Sequence, residues 1–225
     1  MPEVRMKSPL NNDSRLAILV LAGGQSKRMG QNKLLLPIEG KTLLFRTVER
    51  VLQADAGPVL VVTGHEAARA ESCVATLAVR SIFNPQFESG LLSSLQAGLQ
   101  ALKDSVQAAM VVLADQVFID STLIDALAGL ASPQPANVLI APLFGELRGH
   151  PVIIGRNFFS EILQHTSDPE KGAQFLFKRH PKAVRLLALP PGPGSQDLDT
   201  PADYEMLKRH LTETVSRVFV GSTTI

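Results

Sequence analysis

The sequence predicts a single-domain α/β protein built on a mostly parallel sheet flanked by helices. Three observations lead there. Apolar runs of strand length alternate with stretches of helical period from Leu16 to Ser132. One run, Ala108–Ala114 (AAMVVLA), is apolar throughout, as a central strand buried on both faces must be. Hydrophobic residues make up 45% of the 225 and charged residues 19%, which is enough apolar material for one large core.

The elements follow in order. Leu16–Leu21 (LAILVL) is the first strand and opens into a glycine-bearing loop. Lys41–Gln53 reads as a helix because Leu43, Leu44, Thr47, Val48, Val51 and Leu52 fall on one broad stripe. Pro58–Thr63 is the second strand, stopped at Gly64; a short helix from about Glu66 leads to a third strand over Val79–Phe83. Gly90–Leu102 is a helix carrying Leu91, Leu95, Leu99 and Leu102, with Ser89 as its expected N-cap. Ala108–Ala114 is the fourth strand, and helix Ser121–Ala131 follows. Beyond Asn137 the pattern is less regular: strands over Val138–Pro142, Val152–Gly155 and Ala183–Leu189, helices over Arg156–Gln164, Gly172–His180 and Pro201–Leu211. Residues 1–14 read as a polar leader, 15–212 as the domain and 213–225 as a tail.

Composition narrows the function classes. The 22 Lys and Arg against 21 Asp and Glu leave a net charge of +1, so no broad basic field exists for nucleic acid or an anionic membrane. Any anion must therefore be held in a local site. The apolar runs, such as Leu16 to Ala22, are too short to span a bilayer, and the N-terminal residues lack a signal-peptide core. A cytoplasmic location is the expectation. The single cysteine, Cys73, excludes an intrachain disulfide and a cysteine-based zinc site, and is expected to pack as a small hydrophobe.

The stretch Leu19–Lys33 (LVLAGGQSKRMGQNK) is the most informative. A buried strand runs into Ala22-Gly23-Gly24, where missing side chains let a ligand approach the backbone. Consecutive amides in such a loop cradle phosphate oxygens, and Arg28 and Lys33 add mobile cations. It is not a P-loop, because Gly30 is followed by Gln31 and Asn32. Nor does the spacing Gly23, Gly24, Gly30 give the G-x-G-x-x-G of a dinucleotide fold. An ordinary strand-to-loop turn with two solvated cations reads the same letters.

The segment Leu21-Ala22-Gly23-Gly24-Gln25-Ser26-Lys27-Arg28-Met29-Gly30-Gln31-Asn32-Lys33 resembles the hallmark LAGG-x-S-x-RMG-x-x-K of the MobA-like nucleotidyltransferases, with every hallmark position filled. The resemblance covers about Leu16 to Leu211. It implies a Rossmann-like sheet of the nucleotide-diphospho-sugar transferase type. It also implies that Leu21, Ala22, Gly23, Gly24 and Ser26 wrap the nucleotide, while Arg28 and Lys33 meet its phosphates.

Asp115 ends the fourth strand, where ligands of open α/β sheets bind. A bare carboxylate would repel a triphosphate, and Mg²⁺ between them reverses that sign. A turn aspartate is the alternative reading; the resemblance favours metal, since Asp115 falls on the family's L-x-D-Q aspartate. In DLDTPADY, Thr200, Pro201 and Asp203 are explained as a helix start, whereas Asp197 and Asp199 are not. The family's D-x-D-T-P-x-D motif makes Asp199 the second metal ligand, with Asp197 as fallback.

Asn84-Pro85 and Gly90–Leu99 resemble the family's N-P-x-x-x-x-G-x-x-x-S-L-x-x-G-L, which implies that Asn84, Gly90 and Ser93 lie over the base and the acceptor. Ser89 and Gly90 starting a helix is the competing account. Arg148-Gly149-His150-Pro151-Val152 resembles the R-G-H-P-V of the molybdenum cofactor cytidylyltransferase branch, so His150 either meets the acceptor or is a satisfied turn histidine. Gln174 stands where that branch's G-D-x-G-A-R-x-L has arginine.

Together these imply Mg²⁺-dependent transfer of a nucleotidyl group to a phosphorylated acceptor, with Arg28, Lys33 and Asp115 as catalytic residues. CTP is the favoured donor and GTP the second. Molybdopterin is the implied acceptor and a molybdoenzyme apoprotein a further partner. The alternatives are a sugar-phosphate nucleotidyltransferase, a non-catalytic nucleotide- or pterin-binding maturation factor, and a nicotinamide-dependent oxidoreductase.

Overall fold

The computed structural model describes residues 15–116, 118–191, 200 and 202–206. Residues 1–14, 192–199 (with Asp197 and Asp199) and 207–225 lie outside the described residues. In chain order the elements begin with β1 (Leu16–Ala22), the hairpin β2 (Pro37–Ile38) and β3 (Lys41–Thr42), α1 (Leu43–Gln53) and β4 (Val59–Thr63). Then come α2 (Ala67–Val74), β5 (Arg80–Phe83), α3 (Leu91–Gln100), β6 (Ala108–Leu113) and α4 (Ser121–Ala131). The second half supplies β7 (Leu139–Phe144), β8 (Leu147–Arg148), β9 (Val152–Gly155), α5 (Phe159–Gln164), α6 (Gln174–Arg179) and β10 (Val184–Leu189).

The main sheet runs β10-β7-β9-β6-β1-β4-β5, with β8 hairpinned onto β7. Strands β1, β4, β5 and β6 are mutually parallel, and β10 is parallel to β7. β9 is the exception, lying antiparallel between β6 and β7. The expected mostly parallel α/β sheet is therefore what forms.

Alternation along β1 divides the core. Ile18 and Val20 join Leu43, Leu44 and Val48 of α1 and Ile124 and Leu127 of α4 on one face. Leu19 and Leu21 join Leu92, Leu95 and Leu99 of α3, with Phe159, Ile162 and Leu176, on the other. A strand buried on both sides has no polar face to show, which is why the run LAILVLA is apolar throughout.

Several boundaries differ from the sequence expectation, each for a local reason. Lys41 and Thr42 pair with Pro37 and Ile38, so α1 starts at Leu43, and Thr42 Oγ1 accepts the Phe45 amide at 3.2 Å as its cap. Ser89 is not the cap of α3. Gly90 occupies that position with φ +95°, a left-handed value that favours glycine, and Ser89 closes a short 3₁₀ turn. The helix expected over Arg156–Gln164 splits into a 3₁₀ turn (Arg156–Phe158) and α5, and that over Gly172–His180 shortens to α6. Thr200 does cap the last helix: its Oγ1 accepts the Asp203 amide at 3.3 Å, and its own amide donates to Asp203 Oδ2 at 2.7 Å.

Leu44 is fully buried between α1 and the sheet. Leu44→Ala should cost about 2–5 kcal/mol and lower the urea midpoint without changing the slope. An unchanged midpoint would contradict this packing.

Candidate active site

The site is assembled by strand register. β1 and β6 pair in parallel with Leu21 opposite Leu113, and the Ala114 amide donates to Leu21 O at 3.1 Å. The residues that follow each strand therefore emerge side by side at the carboxyl edge, the glycine loop from one and Asp115 from the other. Thr47 Oγ1 of α1 donates to Ala114 O at 2.9 Å and fixes the chain one residue before Asp115.

Beyond β1 the chain turns through Ser26, which has left-handed dihedrals, and a 3₁₀ turn over Lys27–Met29 closed by Gly30. Met29 and Leu34 plunge into the core and pin the loop. Ser26 Oγ accepts the Lys33 amide at 3.2 Å, drawing the far end of the loop back over its start. The two glycines serve different ends. A Cβ on Gly23 would meet Ser94 Oγ at 2.8 Å, so this position is set by close packing against α3. A Cβ on Gly24 would meet nothing within 4 Å, because that side opens into the cavity.

The cavity measures about 400 Å³. Of the residues expected from the sequence, Leu21, Gly23, Gly24, Ser26, Arg28, Lys33, Gly90 and Asp115 all line it. At its wall Lys33 Nζ lies 2.5 Å from Asp115 Oδ2, both side chains being mostly buried. Charge-assisted contacts of this length hold both groups in one geometry. Ala22 is buried at the end of β1, and its side chain joins the α1 face of the core.

Asn84 and Ser93 do not line either of the two cavities described here; they lie beneath, both buried. Asn84 Nδ2 donates to Ser93 Oγ at 2.9 Å and Ser94 Oγ at 3.1 Å, and Asn84 Oδ1 accepts the Gln86 amide at 2.9 Å. They form a buried polar clasp at the turn into α3. An asparagine and a serine satisfy each other there because the turn leaves backbone groups without ladder partners.

Two carboxylates that the sequence reading did not single out, Glu88 and Glu170, also line this cavity. Gln25 Nε2 donates to Glu88 Oε1 at 3.1 Å, joining the glycine loop to the turn before α3. No motif marks either glutamate, and only the fold brings them here. Lys27, Arg28 and Lys33 thus face Glu88, Asp115 and Glu170. With cations and carboxylates balanced, a polyanion entering this cavity must bring a counter-ion of its own.

Among the described residues no group of three His, Cys, Asp or Glu side chains forms an all-protein metal cage. Asp115 fits the other pattern, in which a hard divalent cation takes one or two carboxylates and completes its shell with phosphate oxygens.

His150 lines an adjoining cavity of about 290 Å³ that shares Leu21 and Leu91 with the first. Burial pushes its pKa down to about 4, Asp115 opposing that shift and Arg148 adding to it. His150 is therefore neutral near pH 7 and interacts with charges from both cavities. The half-buried Cys73 on α2 forms no disulfide and takes no part.

Residues 18–184 match the MobA-like NTP transferase domain. The chain belongs to that family. Three curated relatives illustrate its range. A probable molybdenum cofactor guanylyltransferase of Opitutus terrae is 40% identical over 90 residues, 40% of this chain and 42% of that one. The molybdenum cofactor cytidylyltransferase of Escherichia coli is 24% identical over 206 residues, 89% of this chain and 99% of that one. Nicotine blue oxidoreductase of Paenarthrobacter nicotinovorans is 28% identical over 190 residues, 81% of this chain and 91% of that one. Among solved structures, Rv0371c of Mycobacterium tuberculosis superposes with a TM-score of 0.77 at 26% identity, covering 87% of this chain and 98% of that one. The same protein has been solved in complex with manganese.

The low pKa of His150 has a consequence for stability. Below pH 6.5 the unfolded chain binds a proton that the folded chain refuses until about pH 4, so stability falls across that window and is unaffected above it. NMR titration should place one imidazole near 4, absent in His150→Gln, and the variant should lose less stability between pH 6.5 and 4. An imidazole titrating near 6.5 would contradict the burial.

Proposed function

We propose that this MobA-like enzyme transfers a nucleotidyl group from a nucleoside triphosphate with Mg²⁺ to molybdopterin, with CTP as preferred donor and GTP as second. The observation that carries the reading is the cavity where the Gly24 backbone, Arg28 and the Lys33–Asp115 pair converge. The manganese complex of Rv0371c supports a divalent ion in such a site. The base preference is supported by the RGHPV and SLQAGL segments and by the cytidylyltransferase relative that spans nearly the whole chain. The AGG triplet and the guanylyltransferase relative support GTP.

In this reading an acceptor phosphate oxygen attacks the α-phosphorus in line. One phosphorus–oxygen bond forms, the bond to the β-phosphate breaks, and pyrophosphate leaves with the electron pair. Such chemistry asks for positioning and charge neutralisation rather than a protein nucleophile. Loop amides at Gly24 orient the triphosphate. Arg28 and Lys33 offset the charge that accumulates on the departing pyrophosphate. Asp115, with Asp199 as proposed second ligand, would hold Mg²⁺, which would supply the positive charge that offsets the triphosphate. Lys33 then exchanges its contact with Asp115 for the phosphates. Neutral His150 borders the acceptor and can accept or donate a hydrogen bond without adding charge.

A second reading, an oxidoreductase, is favoured by the nicotine blue oxidoreductase relative. The glycine spacing lacks a dinucleotide fingerprint, which opposes it. A fluorescence titration with NAD(P)H separates the two.

Selective binding should raise the melting temperature by mass action, so a panel of the four ribonucleoside triphosphates should show a Mg²⁺-dependent shift, largest for CTP. Asp115→Ala should melt within a few degrees of the parent yet lose at least about 100-fold in pyrophosphate release. Full activity in that variant would remove Asp115 from the metal site.

A further inference from the structure

The 290 Å³ cavity beside the nucleotide cavity has an apolar floor and a charged wall. Leu95, Val111, Ile154 and Phe177 make the floor, and Arg148, Lys171 and Gln174 stand among the lining residues. Arg148 is positioned by a tight hairpin: β8 pairs Arg148 with Leu143, and the Gly149 amide donates to Pro142 O at 3.0 Å. Its guanidinium carbon lies 4.4 Å from the centroid of the Phe177 ring. Stacking of this kind fixes the plane of the fork while leaving its N–H edges to donate.

Among the described residues no carboxylate pairs with Arg148. Lys171, the other cation of this lining, differs in reaching Asp168 at 3.5 Å. Partial burial lowers the Arg148 pKa, with no acid to oppose it. A guanidinium that is accessible from the cavity, braced on a ring and without a carboxylate partner is prepared for an anion from outside.

We propose that Arg148 is the anion anchor of the acceptor pocket: its fork, braced on Phe177, receives an oxyanion of a small molecule whose flat apolar body lies over Leu95, Val111 and Ile154. This rests on the transfer reaction proposed above and names the residue that selects its acceptor. The direction of the pocket supports it. The two cavities share Leu21 and Leu91, so a ligand held by Arg148 has the glycine-loop cavity beside it. The placement also accounts for Gln174. That position carries arginine in the motif it resembles, and here the cation stands elsewhere in the lining of the same cavity.

The test uses the full chain labelled with ¹⁵N-arginine, with the Arg28 and Arg148 side-chain N–H signals assigned by substitution. A non-hydrolysable CTP analogue with Mg²⁺ should move Arg28, and phenyl phosphate added afterwards should move Arg148. Inorganic phosphate should bind more weakly than phenyl phosphate, and phenol should leave the Arg148 signal in place. Arg148→Gln should weaken phenyl phosphate at least tenfold, about 1.4 kcal/mol, and Arg148→Lys by less. Gln174→Arg, which adds charge without removing any contact of Arg148, should tighten it at least threefold. An Arg148 signal that ignores phenyl phosphate, or Arg148→Gln binding within twofold of the parent, overturns the proposal. An Arg28 signal that ignores the nucleotide analogue sinks the transferase reading instead, independently of what Arg148 does.

Discussion

The parallel pairing of β1 with β6 is the constraint on which everything else depends. It brings two chain segments nearly a hundred residues apart out at one edge in step, so that the loop after Ala22 and the carboxylate of Asp115 share a cavity wall. The contact between Lys33 Nζ and Asp115 Oδ2, at 2.5 Å, is the product of that register. A slip of one residue along either strand would turn its side chains to the opposite face and separate the pair. The burial of both faces of β1 forbids such a slip, since Ile18 and Val20 are committed to one helical layer and Leu19 and Leu21 to the other.

Electrostatic economy follows from the same geometry. The glycine-loop cavity balances its cations with carboxylates, and the chain as a whole is nearly neutral. Attraction for a polyphosphate therefore does not come from a long-range field. In the proposed reaction it comes from backbone amides that cannot be screened or withdrawn, from cations that exchange partners, and from a counter-ion delivered with the ligand. In the neighbouring cavity Arg148 lacks a carboxylate among the described residues, and His150 remains uncharged. One cavity is thus self-neutralised, and the other is lined by Arg148 and Lys171 with no carboxylate among its described lining residues.

The legible part of the site was the part carried by contiguous chain. The alternating runs marked the strands and helices of the first half because each strand buried on both faces has to be apolar throughout, and the loop Leu21–Lys33 stood out because its glycines, Arg28 and Lys33 lie close together in the chain. Less legible was anything set by packing between distant elements. Asn84 and Ser93 carry motif letters, but the hydrogen bond that joins their buried side chains is visible only in the fold. Ser89 looked like a cap, but the positive φ at Gly90 moved the helix start past it. Glu88 and Glu170 reach their cavity on 3₁₀ turns and Arg148 its own on a hairpin, none of which has a periodic signature. Asp199 lies outside the described residues, so its pairing with Asp115 stays a proposal drawn from the motif.

The central claim is that Asp115 holds the metal of a polyphosphate gripped by the glycine loop. Electron paramagnetic resonance of Mn²⁺ titrated into the protein with a non-hydrolysable CTP analogue tests it most directly. The account predicts weak Mn²⁺ binding to the protein alone, a tight ternary complex once the nucleotide is added, and loss of that complex in Asp115→Asn with the fold preserved. A ternary complex of unchanged affinity in Asp115→Asn would contradict it.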